Sequence, residues 1–501
     1  MLSLYDLMEE DVHTEYKEAK NTLPDDFWET YSAFANTDGG TVYLGVLENN
    51  QKPVEISGVK NAQKIKSDFF TTQSNTTKAS VALVRDDNLE IFQTSNNKTV
   101  IKISIPQASY DLKPVFIKNT QSNAYLRRGH SDIKMTPSDL KYFISNSYER
   151  LDRKLLDGYD IEADLNLEDI QQYRSVIANR YNNPKYLTMN LKDFLVEFGV
   201  LGKDRSIGQY KLTEGGLLFF GKFQSIRDRF PNFQIDYIYK KSTLDVNWLN
   251  RVVTGELDGA ENIYSFYLKT FSILSTRIMD SFSLDTPDKT RSNDADKLKD
   301  VVREALVNML SHAYYDSEQT LRLNEFENYY EFFNPGSLRI TKDEFIHGGV
   351  PLQRNPVISV LFRRGGYSEN AGSGGKRIFD TVSALKLRLP DLTVEPESTK
   401  LTIWNTDFIN SFRDIPNEWI SVLKLIQQKG AIKVKDVCTE LNLSDFKARK
   451  LLNEMLANEI ISEHGKSVAH RYRFNLNDEY SRFAVQQIFH QQEEFMLKGF
   501  D

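Results

Sequence analysis

The 501-residue sequence contains one cysteine, Cys438. That excludes an internal disulfide and any cysteine cage for a metal, and it suits a reducing compartment. Its seven histidines fall without metal-ligand spacing. No Ser-His-Asp or Cys-His arrangement can be read, so nucleophilic catalysis has no candidate. There is no run of about 18 apolar residues. Glu9, Glu10 and Asp11 stand where a secretory leader would carry its apolar stretch, so a soluble, cytoplasmic protein with no membrane partner is expected. Excess positive charge is also missing. Lys and Arg number 63 against 70 Asp and Glu, a net −7, so any contact with nucleic acid must come from local patches. A nucleotide-motor loop is lacking too. Gly216 to Lys222 nearly meets the P-loop pattern, but Phe223 replaces the Mg²⁺-binding Ser or Thr, and the interior Leu217-Leu218-Phe219-Phe220 calls for a core. No internal repeat or low-complexity tract occurs.

What is present is length and aromatic mass. At roughly 100–200 residues per domain the chain should hold three or four units, and 31 Phe with 24 Tyr can fill their cores. The expected class is α+β multidomain. In a first unit, 1–146, Phe27, Trp28, Tyr31, Phe34 and Ala35 recur at helical spacing before the stop Asp38-Gly39-Gly40. Strands are expected at 41–47, 80–84, 89–92, 99–105 and 124–130, and Thr136-Pro137 opens a closing helix. A helical and mixed connector follows over 147–297, with two helices in 165–198, a long amphipathic helix at 258–282 and a polar linker at 283–297. The third unit is placed at 298–412. The last, 413–501, reads as three short helices and a hairpin, the pattern of a winged helix-turn-helix.

Within the third unit Glu304 and Asn308 lie four apart, so one helix face presents a carboxylate and an amide that can share a hydrated Mg²⁺. Asn334-Pro335-Gly336 forms a turn. Gly372-Ser373-Gly374-Gly375-Lys376 then offers backbone N–H groups to a phosphate at the start of a helix. The stretches REALVNMLSHAYYD, NPGSL and PLQRNPVISVLFRRGGYSENAGSGGKR together resemble the GHKL ATPase fold, an α/β sandwich, in the divergent form that follows a Schlafen-like AlbA_2 domain in bacterial proteins, often labelled RecG-related. The resemblance implies ATP and Mg²⁺ as cofactors, Glu304 as general base and Asn308 as metal ligand. It also places His312, Asn334, Gly336, Gly372, Ser373, Gly374, Gly375 and Lys376 around the nucleotide. The family's Asp-x-Gly-x-Gly box is replaced here by Glu331 to Gly336, and Arg354 and Arg363-Arg364 match its basic positions, open to a phosphate, a partner subunit or solvent.

Near the start, Glu10, Glu15 and Lys17 precede the glycine-rich strand that ends at Glu48. These positions resemble the Schlafen AlbA_2 domain over roughly the first 145 residues. In its nuclease-competent members, acids and a lysine so placed form a metal-dependent centre, so the resemblance implies Mg²⁺ or Mn²⁺ on Glu10, Glu15 and Glu48, with Lys17 stabilising charge on a scissile phosphate. Strand alternation puts Glu15 and Lys17 on one face and Tyr16 in the core. With 70 acids in the chain, a solvated acidic face is the competing reading. Arg127 and Arg128 are candidate nucleic-acid contacts, as are Lys447, Arg449, Lys450 and Arg471 in the tail, where Lys466, His470 and Arg473 enlarge the patch. A winged helix serves DNA contact or dimerisation, and both stay open.

By the same resemblance the chain is expected to be an ATP-regulated, metal-dependent nuclease for RNA, tRNA or single-stranded DNA. It would act in stress or antiviral defence, as a homodimer or higher oligomer. The alternative is a non-enzymatic, ATP-sensing transcriptional regulator that binds DNA without cutting it.

Overall fold

The computed structural model describes residues 10–49, 52–75, 77–94, 96–147, 151–243, 245–283, 289–349, 352–368, 373–407, 409, 411, 416–458, 460–464 and 470–475. In the first unit the helix Phe27–Asn36 covers a sheet ordered Thr14–Lys17, Gly40–Leu44, Thr99–Ile105, Leu89–Gln93, in which only the first pair is parallel. Phe27, Phe34, Val42, Leu44, Phe69 and Ile103 close the core between them. The strand expected at 41–47 is broken by Gly45 at φ +92. A Cβ there would stand 3.1 Å from the Gly58 backbone, so the turn needs glycine. Beyond it Val46–Asn49 pairs with Lys52–Ile56 as a separate hairpin, which carries Glu48. The strand expected at 80–84 makes no ladder. Buried Tyr31 takes the ladder's place, its hydroxyl donating to Val81 O and accepting from Leu83 N–H.

One sheet and one core run through the boundary expected at 297/298. Strand order is Asn250–Val253, Ile235–Tyr239, Leu321–Glu325, Tyr329–Pro335, Ser398–Trp404, Asp391–Val394, and the pairing of Ile235–Tyr239 with Leu321–Glu325 is parallel. The core extends from Leu156 to Ile403, so by packing the connector and the third unit are a single body. The linker expected at 283–297 is helical from Lys289 onward, as part of Lys289–His312. Buried Ala295, Leu298, Val302, Ala305 and Met309 recur at alternating steps of three and four, and that apolar stripe outweighs the polar composition around it. The P-loop look-alike is the helix Glu214–Phe220. Its Phe219 and Phe220 pack on Tyr173 and Tyr264, as the apolar interior requires.

The tail holds helices Asn417–Lys429, Val434–Leu441 and Asp445–Ala457, then an antiparallel pair, Ile461–His464 with Arg471–Phe474. Val422, Ile426, Val437, Leu452 and Tyr472 give it a core of its own. Among the described residues no helix is long and apolar enough to cross a membrane.

Candidate functional site

Glu304 and Asn308, one turn apart on the helix Lys289–His312, form one wall of a cavity of about 160 Å³. Phe332 and Asn334 from the neighbouring strand, Phe345, and the glycines Gly374 and Gly375 close it. Ligand pockets usually measure about 300–1,000 Å³, so a nucleotide would need one wall to yield. The glycine wall is the helix Gly374–Ala384 with Ser373 at its N-cap. A Cβ on Gly374 would lie 2.4 Å from Glu304 Oε1 and 2.9 Å from Asn308 Nδ2, and one on Gly375 would lie 2.2 Å from Phe345 O. Only glycine lets this helix start approach the acid so closely. Gly372 lies outside the described residues. Lys376 does not line the cavity. It pairs with Asp380 one turn along its own helix.

Asn334 Nδ2 donates to Met309 O at 2.7 Å, tying strand to helix. Gly336, at φ +91, admits the Arg354 guanidinium where a Cβ would stand 2.2 Å from Nη1. Arg354 is 1 % exposed and donates to His312 O at 2.8 Å and Ser337 O at 2.6 Å. Contact with a phosphate, a partner or solvent is therefore replaced by a buried staple across the helix end and the turn. Burial lowers its pKa to about 10. Burial also lowers His312 to about 4, helped by Arg354 and Arg339, so this cavity-lining imidazole is neutral at pH 7. The residue sequence reasoning passed over is Arg377, whose Nη2 meets Glu304 Oε2 at 2.5 Å. A buried acid beside a glycine run that ends in Lys-Arg was the available signal. Glu304 and Asn308 supply oxygen ligands of the kind Mg²⁺ takes, and the helix start at Gly374 could meet a phosphate with its N–H groups once it moves back from the acid it now abuts.

In the first unit the strand Thr14–Lys17 alternates as expected, with Tyr16 in the core. Glu15 is held by two cations: Oε1 by Lys17 Nζ at 3.0 Å, Oε2 by Arg127 Nη2 at 2.8 Å. Lys17 also meets Asp26 at 2.7 Å. Although its burial opposes the charge, the Glu15 and Asp26 carboxylates keep its pKa above the usual lysine value. The Arg127 side chain is fully buried. It pairs with Asp132 at 2.8 Å and donates to Asp11 O at 3.0 Å, which removes it from any exposed contact with nucleic acid. Glu10 accepts from Tyr16 N–H at 2.8 Å. Burial pushes it up to about 7, against the pull of that hydrogen bond, and the charges of Glu15 and Glu48 add to the rise. Even so, among the described residues no group of three or more His, Cys, Asp or Glu is drawn close enough to hold a metal ion. With both Glu15 oxygens given to internal cations, the set as placed does not fit a divalent ion.

A cleft separates the two bodies, walled by Lys113, Arg128, Arg339 and Lys342. Lys342 Nζ reaches Asp38 Oδ2 across it at 2.7 Å. Ser337, Leu338, Arg339, Ile340 and Glu344 line both this cleft and the Glu304 cavity. Arg128 is half-exposed, 3.6 Å from Asp139. In the tail Lys447 is exposed, Arg449 pairs with Asp445 at 2.7 Å and Lys450 approaches Glu454 at 3.9 Å. Arg471 bonds His470 O, and Lys466 lies outside the described residues. Phe446, 78 % exposed on the same helix, is a large apolar side chain among these charges.

Fold and cavity together define a modular protein in which a small α+β domain docks on a larger body with a glycine-walled pocket. Residues 10–136 match the family model described as "Schlafen, AlbA_2". Residues 319–403 match the one described as "Putative ATP-dependent DNA helicase recG C-terminal". The chain thus carries a Schlafen AlbA_2 domain followed by an ATPase-like domain. Residues 141–236 match a domain of unknown function. Glu304, Asn308 and His312 precede the matched ATPase-like span, whereas Gly374 and Gly375 lie within it. A crystal structure of the DIP2311 protein from Corynebacterium diphtheriae is similar at 15% identity and a TM-score of 0.39, over 96% of this chain and 97% of that one. No curated protein matches.

Proposed function

We propose that this protein binds nucleic acid under the control of a nucleotide held at Glu304, Asn308 and the glycine wall. The observation that carries the reading is the shared lining: the segment 337–344 borders both the pocket and the cleft, and Lys342 anchors it to Asp38 of the first domain. A ligand that displaces the glycine wall shifts Phe345, whose carbonyl abuts Gly375, and through its helix Lys342–His347 shifts the cleft. The larger body is read as GHKL-type, with ATP as its nucleotide. Mg²⁺ held with Asn308 would neutralise phosphate charge. Glu304 is read as the group that accepts a proton from water, and neutral His312 as a hydrogen-bond partner. The tail is read as a winged helix that positions nucleic acid through Lys447, Arg449, Lys450 and Arg471, with assembly as a homodimer or larger oligomer. The test is binding of labelled tRNA and single-stranded DNA with and without Mg-ATP. An affinity indifferent to ATP removes the control, and no binding to either polymer removes the partner.

A second reading, Schlafen-like nuclease activity at Glu10, Glu15, Lys17 and Glu48 in stress or antiviral defence, draws on the half-buried Glu10, which burial lifts to about 7 with smaller contributions from Glu15 and Glu48, and it requires the Lys17 and Arg127 pairs on Glu15 to open before a metal can enter. Its check is Mn²⁺-dependent cleavage of the same polymers, abolished in Glu15→Gln while binding persists.

A further inference from the structure

We propose that the protein associates with a second copy of itself through an apolar patch on one edge of the six-stranded sheet. The inference deepens the reading of the chain as a homodimer or larger oligomer by naming the surface. Val246, Trp248, Leu249 and Leu257 are 90, 53, 57 and 107 % exposed. Single exposed leucines are ordinary, whereas four large apolar side chains flanking one edge strand, Asn250–Val253, are not. Arg251 ties the two flanks together: its guanidinium lies 5.9 Å from the Trp248 ring and 2.7 Å from Glu256, the neighbour of Leu257. The four expose on the order of 450 Å² of side chain. Covered on two copies together with their polar surround, that reaches the ~1,000 Å² at which specific interfaces begin.

The edge itself is poorly disposed to take a peptide strand. Arg251 N–H donates to Asn250 Oδ1 at 2.8 Å, and the Val253 carbonyl accepts from Ala260 N–H at 3.0 Å. Strand addition would meet groups already bonded, so the partner docks by side chains. The rim carries both signs, with Lys241 and Arg251 beside Asp245, Glu256 and Asp258. Its slight acidic excess disfavours a polyanion or an anionic membrane. A two-fold axis, by contrast, lets the cations of each copy meet the acids of the other, so the patch is complementary to itself. The opposite edge of the sheet, Asp391–Val394, borders the cleft through Val394. Assembly through the Asn250–Val253 edge therefore leaves the cleft open to its ligand.

The experiment is sedimentation velocity on the full-length chain across a concentration series. The wild type should associate, and Trp248→Asp with Leu257→Asp should weaken that association at least about 100-fold. Thermal melting should stay unchanged, because both side chains already face water. If melting shows the double variant unfolded, Leu257→Asp alone, at a fully exposed position, takes its place with a loss of about tenfold. Ile207→Asp, 55 % exposed on another hairpin, should change nothing. A wild type that stays monomeric overturns the proposal, whether or not it floats with phosphatidylcholine vesicles. An oligomer that survives both aspartates also overturns it, since assembly then uses another face. Nucleic-acid binding with and without Mg-ATP, measured on the same samples, keeps the two readings apart: a monomer that still responds to ATP ends this inference and leaves the nucleotide control standing.

Discussion

Glu10 titrates near 7 rather than near 4.5. Between those values the folded chain keeps a proton that the unfolded chain has released, so stability falls as pH rises through the window. Asp152, raised to about 7 by burial against hydrogen bonds from the Ile358 and Val357 backbone, acts in the same direction. His312 acts in the opposite one: its folded pKa of about 4 lies below the ordinary 6.5, so its contribution is lost as pH falls through that range. Urea midpoints should therefore show Glu10→Gln gaining on the wild type at pH 8 and matching it at pH 5. A uniform offset at both values would mean that Glu10 is not the group responsible. Arg354→Met should cost about 2–4 kcal/mol in denaturant unfolding, because the His312 and Ser337 carbonyls would be left without donors. At this scale strand alternation made the Glu15–Tyr16–Lys17 pattern legible. Arg127 was not, since its sequence neighbours give no sign that Glu15 and Asp132 close on it from either side.

At the scale of elements, periodicity served where one face meets a core and failed where a single backbone torsion decides. The stripe from Phe27 to Ala35 forms a helix as its spacing demands. The run at 41–47 has the composition of one strand, yet Gly45 divides it and sends Glu48 onto another hairpin. The helix start Gly374–Gly375 yields a sharper prediction. Gly374→Ala raises local helix propensity by about 1 kcal/mol, yet its methyl would meet Glu304 Oε1. The helix start must then retreat from the acid, so thermal stability should fall somewhat while ATP affinity drops about tenfold. Loss of stability with affinity intact in a calorimetric titration would sever the wall from the pocket.

For the whole molecule, the proposed coupling of pocket and cleft would run through a contact of little energetic weight. The Lys342–Asp38 pair is partly exposed, and such pairs contribute roughly 0–1 kcal/mol. Lys342→Ala should leave the melting temperature nearly unchanged while reducing the effect of ATP on nucleic-acid affinity, measured by fluorescence anisotropy. An undiminished ATP effect would place the coupling elsewhere. The mixed α+β class was readable from pattern. The limits of the larger body were not, because the partner of Leu321–Glu325 is Ile235–Tyr239, a pairing between distant segments that neither announces alone.

That parallel pairing has a bearing on inheritance. A gene fragment beginning at residue 298 would encode a sheet with a raw inner edge at Leu321–Glu325 and half a core turned to water. Recombination that moved the ATPase-like segment into another protein would have to carry the upstream strands as well, so the heritable module is larger than the stretch its signature marks.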